Sequence, residues 1–173
     1  MACSLTTGRK VPCKSSVGGL KAVYFADYDT LGDATIVSGE ITALSGTPSW
    51  YKYDLKGTST LETAVNSSRE NGTTFYESTL TLSLPYLDLQ TQEEIKLLAI
   101  SRPHIAIEDN NGNILLVGLE HGGDVNGGSI TTGAAMGDLS GSSLTFVAQE
   151  KNPPYFVADG VISADAAQID PTA

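Results

Sequence analysis

The chain has 173 residues, a length that fits one domain. A chain of this length can bury a stable core without the help of disulfides or metal ions. Twenty Asp and Glu residues against ten Lys and Arg give a net charge of -10, which opposes general binding to DNA, RNA or anionic lipid. No apolar run reaches the roughly 18 residues of a membrane-spanning helix, and the first residues lack the apolar segment of a secretory signal. We therefore expect a soluble protein made in a cytosol, with no membrane partner.

The first predicted feature is an extended arm at residues 1–18, which are rich in Ser, Thr and Gly and show no periodicity. Arg9, Lys10 and Lys14 make this arm basic, although the chain as a whole is acidic. Such an arm either docks onto a neighbouring copy of the chain or remains a solvated terminus.

Both cysteines of the chain, Cys3 and Cys13, lie in this arm. Their separation fits two free thiols, a disulfide that forms late, or a shared metal site. A reducing cytosol disfavours the disulfide, and two ligands do not complete a zinc site. The three alternatives stay open.

Alternating apolar and polar side chains predict a series of β-strands after the arm. The clearest is at residues 73–85, where Tyr76, Ser78 and three leucines share one face and mostly polar residues share the other. Residues 66–72 are wholly polar and end in Asn-Gly, which predicts a loop. The other strands predicted in this half of the chain are residues 21–28, 34–44, 49–55 and 58–65.

One helix is predicted, over about residues 92–101. Thr91 and Glu94 have the spacing of a capping box, in which each side chain bonds an otherwise unpaired backbone N–H. Pro103 prevents the helix from continuing. The apolar residues on its predicted inner face are Ile95, Leu98 and Ala99.

An Asn-Gly pair at residues 111–112 lies between two apolar runs and predicts a β-hairpin. A calcium loop of the EF-hand type is the alternative for this polar segment. Counted from Asp109, however, the glycine comes too early for that loop, so the hairpin is favoured.

The last third of the chain combines flexible and extended segments. Residues 121–141 are rich in glycine and are interpreted as a flexible crossing between strands. A final strand at residues 142–150 directs Leu144 and Phe146 inward. Residues 158–173 carry three aspartates and no cation, which predicts an exposed tail.

No pattern of catalytic residues emerges. The glycine-rich segment has no Lys or Arg, so it lacks the lysine of a nucleotide-binding loop. His104 and His121 flank the predicted hairpin, and with Glu120 or Asp124 they form a minor zinc-site hypothesis beside the simpler interpretation as capping or exposed histidines. We therefore expect no enzymatic activity, no cofactor and no bound metal.

Residues 73–157 follow a characteristic order. A long strand ends in Leu-Pro, a Thr-capped helix follows, then an Asn-Gly hairpin, and finally the segment TGAAMGDLSGSSLTFVAQEKNPPYFV. This order resembles that of tailed-bacteriophage tail tube proteins. The final segment is similar to the terminal strand of those subunits, and the resemblance covers about half of the chain.

The resemblance implies a mainly β fold: a β-sandwich or partly closed barrel with one flanking helix. It implies a single domain with a core at residues 19–150 and extended arms at residues 1–18 and 151–173. Residues 155–157 would then leave the sheet. A loop at about residues 57–72 would bridge to the next ring of subunits.

The resemblance also implies what the protein contacts. Subunits of this family assemble into rings of six that stack into a hollow tube, so the partners are copies of the chain itself and other tail proteins. Genomic DNA passes through the tube without specific binding. The protein would reside in the virion tail after synthesis in the host cytoplasm. The residues expected at subunit contacts are Arg9, Lys10, Lys14, Arg69, Glu70, Pro153, Pro154 and Tyr155.

Two alternatives remain at this point. Another virion structural protein, such as a capsid decoration or tail terminator subunit, would share the acidic, β-rich profile. A ligand-binding β-sandwich would use Trp50, Tyr51 and Tyr53 as a stacking platform. Strand alternation separates Trp50 from Tyr51, so core packing is the favoured role of this cluster.

Overall fold

The computed structural model describes residues 7–11 and 13–163, in which eleven strands and one helix are found. The elements are β1 (Leu20–Ala26), β2 (Ala34–Val37), β3 (Glu40–Leu44), β4 (Tyr51–Asp54), β5 (Thr60–Ser68), β6 (Thr73–Pro85), α1 (Leu89–Ile100), β7 (His104–Asp109), β8 (Ile114–Val117), β9 (Asp124–Thr131), β10 (Gly141–Glu150) and β11 (Tyr155–Val157).

The strands form two sheets that pack as a sandwich. The seven-stranded sheet has the order β2-β3-β11-β8-β7-β1-β4, and the four-stranded sheet has the order β5-β6-β10-β9. Neighbouring strands are antiparallel except β3 and β11, which are parallel. The predicted mainly β sandwich with one helix is confirmed, and neither sheet closes into a barrel.

The main core lies between the two sheets. Strand β6 points its leucines inward, as its alternation predicts, and β10 adds Leu144 and Phe146 beside them. From the other sheet, β1 contributes Val23 and Phe25, whose ring lies 5.2 Å from that of Phe146. Each fully buried side chain of this size stabilises the fold by about 1.5–3 kcal/mol.

A second core covers the opposite face of the seven-stranded sheet. Ala22, Tyr24 and Ala26 of β1 point into it, so β1 is buried on both faces. Trp50 is buried in this second core, whereas Tyr53 packs against the main core. Trp50 and Tyr53 therefore lie on opposite faces and do not form a stacking platform together.

The helix begins earlier than the capping box predicts. Asp88 is the N-cap, and its Oδ2 accepts hydrogen bonds from Gln90 N at 3.1 Å and Thr91 N at 3.4 Å. The Thr91–Glu94 cap is therefore wrong, because an aspartate three residues earlier caps equally well. Ile95 and Leu98 are buried as predicted, but Ala99 is exposed.

Two segments in the first half pair differently from the prediction. Residues 34–44 are a β2–β3 hairpin rather than one strand, because Ser38 (φ 55°) and Gly39 (φ 89°) form a two-residue turn. The loop predicted at residues 66–72 is shorter, since β5 continues to Ser68 and pairs with Thr73.

Two segments in the second half are also corrected. The glycine-rich crossing contains a strand, β9, which pairs along β10 at one edge of the four-stranded sheet. Residues 155–157 do not leave the sheet: as β11 they lie between β3 and β8. Ile162 is buried as well, so the chain from residue 151 to residue 163 is part of the folded body rather than an arm.

The only helix of the described segments, α1, has 12 residues. No helix there has the length and apolar character that crossing a bilayer requires.

Candidate functional site

The outer face of the four-stranded sheet is mostly polar. On β6 this face carries Glu77, Thr79, Thr81 and Ser83, all half-buried by their neighbours. Across it, Thr81 pairs with Thr60 of β5 and Thr145 of β10. Hydroxyl-bearing side chains therefore cover the middle of this face.

The charge on this sheet has one sign only. None of the residues in β5, β6, β9 and β10 is Lys or Arg. By register, the outer face carries the carboxylates of Glu62, Glu77 and Asp124. Gln149 Nε2 donates to Glu77 Oε2 at 2.6 Å, which holds that carboxylate against β10. A polyanion such as DNA finds no cationic partner on these strands.

The β5–β6 hairpin extends beyond the rest of this sheet. The last residue of β10, Glu150, pairs with Tyr76, so residues 66–68 and 73–75 pair only with each other. Val65, near this extension, is 62% exposed. Arg69 and Glu70 lie in the turn at its tip. Residues 60–68 of the bridge implied at residues 57–72 are therefore strand β5, and residues 66–72 belong to the projecting hairpin rather than to a loop.

The root of the N-terminal arm is attached to the β7–β8 turn. Val17 N donates to Asn111 Oδ1 at 2.9 Å, and Asn111 Nδ2 donates to Val17 O at 2.8 Å. Asn110 Nδ2 donates to Gly18 O at 2.9 Å. The two asparagines therefore fix where the arm leaves the body.

The turn itself is a hairpin turn, as predicted, with Gly112 at φ 85°. Asp109 Oδ1 accepts hydrogen bonds from Asn111 N and Asn113 N, both at 2.8 Å. Burial raises the pKa of Asp109, but hydrogen bonds from Asn113 and Asn111 outweigh burial, so the pKa lies below its ordinary value. The carboxylate is engaged by its own turn, which accounts for the polar residues there without a calcium ion.

A cluster of polar side chains joins β1 to β7 near the arm root. Lys21 forms an ion pair with Glu108, and Tyr24 Oη donates to Glu108 Oε2 at 3.0 Å. Burial raises the pKa of Glu108, but the hydrogen bonds from Lys21 and Tyr24 outweigh it, and the net pKa is lowered. Burial, helped by Glu108, raises the pKa of Tyr24 to about 12.

At the other end of the seven-stranded sheet, His104 joins two loops. Its Nδ1 lies 2.6 Å from Gly118 O, and Asp29 N donates to its Nε2 at 3.1 Å. The Asp29 bond requires an unprotonated Nε2, so the proton is on Nδ1. Tyr28 stacks on the ring at 5.4 Å. His104 has both nitrogens in use and is not available to bind zinc together with His121.

The candidate contact residues are distributed over two ends of the molecule. The arm root lies at the start of β1, beside Asp109, and β1 ends beside His104. The chain crosses between the two sheets at residues 118–123 and 151–154, and both crossovers lie at the His104 end. The arm root and the crossovers are therefore at opposite ends of the seven-stranded sheet. The β5–β6 tip lies at the crossover end, because β10 ends beside the start of β6.

Each predicted contact residue has a defined place. Arg9, Lys10 and Lys14 are exposed and belong to no helix or strand. Arg69 and Glu70 lie at the crossover end of the molecule. The other three predicted contact residues lie at the same end: Pro153 is exposed, and Pro154 and Tyr155 are half-buried. Tyr155 is part of β11 rather than of an arm.

The sequence analysis does not predict the hydrogen bonds that hold the arm root to the β7–β8 turn. Asn110 and Asn111 were assigned only to the hairpin turn, and nothing in the local pattern links them to Val17, 94 residues from Asn111. Cys13 is an exposed free thiol, whereas Cys3 lies outside the described residues.

Comparison of the chain with protein-family models, with curated proteins and with solved structures finds no match. The function is therefore inferred from the geometry and charge of the described residues.

Proposed function

We propose that this protein is the structural subunit of a phage tail tube, which assembles into stacked rings of six around a channel for DNA. The order of elements that resembles tail tube proteins suggested this function. The observation that carries it is the absence of Lys and Arg from all four strands of the smaller sheet.

A channel for DNA must not bind what it conducts. Each phosphate that a protein neutralises adds salt-dependent affinity, and several such contacts would hold the DNA in place. A wall of threonine and serine hydroxyls with Glu62, Glu77 and Asp124 provides no such contact from its strands. The guanidinium of Arg102, which precedes β7, lies beside this wall and is paired with Asp124 at 3.3 Å. We infer that the outer face of the four-stranded sheet lines the channel.

The placement of the contact candidates supports stacking. An interface that joins different surfaces of two copies produces rings or open stacks, whereas a self-complementary interface stops at a dimer. Here the basic arm leaves from one end of the body, and the projecting β5–β6 hairpin leaves from the other. Contacts made from opposite ends lead from one copy to the next.

Negative-stain electron microscopy across a concentration series tests the proposal. We expect stacked rings with a central hole, and we expect a variant lacking residues 9–16 to stay folded and monomeric, because it has lost the basic part of the arm. Rings that never stack would favour a tail terminator. Monomers at every concentration would contradict self-assembly and favour a capsid decoration protein or a ligand-binding module.

A further inference from the structure

The two crossovers between the sheets bring together three side chains that are known metal ligands in proteins. Residues 118–123 lead from β8 to β9 and carry Glu120 and His121. Glu150 ends β10, where the chain crosses back toward β11. One ligand atom from each of these three residues lies within 4.8 Å of the others.

The crossover that holds Glu120 and His121 is a tight turn. Gly122 N donates to Gly118 O at 3.1 Å, and both glycines have positive φ, 72° at Gly118 and 70° at Gly122. A Cβ at Gly118 would lie 2.6 Å from the carbonyl carbon of Gly122, so the turn closes only because glycine stands there. The turn presents Glu120 and His121 at the surface.

Hydrogen bonds fix this turn on both sides. Glu150 Oε1 accepts from Glu120 N at 3.0 Å and from His121 N at 2.9 Å. Tyr28 Oη donates to Glu120 O at 3.2 Å, and Arg102 Nη2 donates to His121 O at 2.8 Å. Both bonds to Glu150 end on one oxygen, which leaves its second oxygen for a ligand.

We propose that Glu120, His121 and Glu150 form a binding site for a divalent transition-metal ion of the zinc class. One imidazole nitrogen and two carboxylate oxygens suit zinc and its neighbours, whereas calcium and magnesium prefer oxygen ligands alone. Two carboxylates balance the charge of the ion. The nearby Arg102 guanidinium is paired with Asp124 at 3.3 Å.

The side chains need only a small adjustment to close around the ion. Ligands at zinc–ligand distances of roughly 2.0–2.2 Å lie about 3.4 Å from one another in a tetrahedral site. Glu120 and His121 are exposed, so their rotamers are free to close the remaining gap. A water molecule takes the fourth position. The bound ion then ties the two crossovers together and stabilises the folded chain, because it binds that state preferentially.

Zinc titration followed by thermal unfolding, with cobalt(II) absorption as a second readout, tests this site. Cysteine thiolates are zinc ligands in proteins, so the measurements use the full chain with Cys3→Ser and Cys13→Ser. We expect one ion per chain, a higher Tm with zinc, and a tetrahedral cobalt spectrum. His121→Ala should weaken binding by at least about tenfold, since even a residue that only supports a ligand costs that much.

Glu93→Gln is the matched control, because Glu93 is an exposed carboxylate on α1, outside the set. This variant should bind zinc and cobalt as the parent does. Absence of saturable binding in the parent would overturn the proposal, and so would binding that His121→Ala leaves unchanged. Neither result depends on whether the protein forms tubes.

Discussion

Asn111 and Val17 pair as two strand residues do, although one partner is a side chain. Val17 N donates to Asn111 Oδ1 at 2.9 Å, and Asn111 Nδ2 donates back to Val17 O at 2.8 Å. Next to this pair, Asn110 N donates to Gly19 O at 3.2 Å. The turn of the β7–β8 hairpin thus holds the chain just before β1 begins.

This relationship predicts that Asn111→Ala releases the arm root without unfolding the body. Asn111→Ala removes three exposed hydrogen bonds, two to Val17 and one to Asp109 Oδ2. Their loss should lower the free energy of unfolding by about 1 kcal/mol, and Val17 N–H should exchange with solvent faster. Hydrogen exchange and urea unfolding measure the two effects. Asn113→Ala is the control, because Asn113 Nδ2 bonds only Asp109 of its own turn.

The same variant bears on assembly. An arm that leaves the body in many directions pays a larger entropic cost on docking, so Asn111→Ala should raise the concentration at which polymers form. Polymers that form at the parent concentration would show that the direction of the arm has no role in assembly.

His104 predicts a large local contribution to stability. His104→Ala leaves the buried Gly118 O without its partner, at a cost of about 1–3 kcal/mol. It also removes the hydrogen bond of Asp29 N, which belongs to an exposed residue and contributes about 1 kcal/mol. Asp29 has φ 65°, and the lost bond is one that holds this left-handed conformation. Urea unfolding should show a loss of several kcal/mol for His104→Ala. His121→Ala in metal-free buffer is the control and should change stability by about 0.5 kcal/mol or less, because His121 is exposed.

The Glu108 cluster predicts pH-dependent stability at both ends of the scale. The pKa of Glu108 is lowered by folding, so its contribution is complete above the unfolded value of about 4.3 and is lost as pH falls through the folded pKa. Tyr24 has the opposite sign. Burial raises its pKa to about 12, so its contribution is complete below the unfolded value of about 10 and is lost as pH rises toward the folded one.

Thermal unfolding from acid to alkaline pH measures both effects. Glu108→Gln should flatten the acid limb in part, because Asp109 also has a lowered pKa and keeps its own share. Tyr24→Phe should flatten the alkaline limb in part, because burial also raises the pKa of Tyr53 to about 12. An acid limb of unchanged slope in Glu108→Gln would contradict the assigned role of this carboxylate.

Strands whose sequence alternates or forms an apolar run were predictable, and those with neither pattern were not. Strand β6 alternates over its full length, so its inner leucines follow from the two-residue period. Strand β9 is mostly exposed and rich in glycine, so its sequence shows no alternation of apolar and polar side chains. Strand β11 has three residues after Pro153 and Pro154, and it belongs to the sheet only because β3 and β8 bond its two edges.

Some features of the candidate site were also predictable from the sequence, and others were not. The lack of cations in the smaller sheet is visible in the sequence, once the strands that share the sheet are known. Contacts between distant residues are not visible there. Glu150 ends β10, whereas Glu120 and His121 lie in the β8–β9 crossover. The sequence hypothesis joined Glu120 and His121 with His104, whose two ring nitrogens are engaged by Asp29 N and Gly118 O.

The projecting hairpin predicts a specific assembly defect. Val65 is 62% exposed close to the extension of the β5–β6 hairpin, where an apolar side chain stabilises the protein only if a partner covers it. Val65→Thr keeps the β-branched shape, so the fold should keep its stability while polymers form at higher concentration. Val37→Thr, on β2 at an edge of the other sheet, is the matched control for sedimentation. An equal loss of polymer in both variants would argue against a special role for the hairpin.

The channel assignment predicts that a single lysine turns the wall into a DNA-binding surface. Thr81 lies in the middle of the outer face of the four-stranded sheet, between Thr60 and Thr145. Ring symmetry would repeat Thr81→Lys in every subunit, so the channel would gain many phosphate partners. Polymers of this variant should retain short double-stranded DNA at low salt and release it as salt rises, whereas polymers of the parent should retain none.

Thr42→Lys is the control for this effect. It makes the same charge change at an exposed position on β3, in the seven-stranded sheet. Cosedimentation of labelled DNA with purified polymers distinguishes the two surfaces. If Thr42→Lys retains DNA and Thr81→Lys does not, the sheet that faces the channel is the other one, and the cation-free face looks outward to solvent.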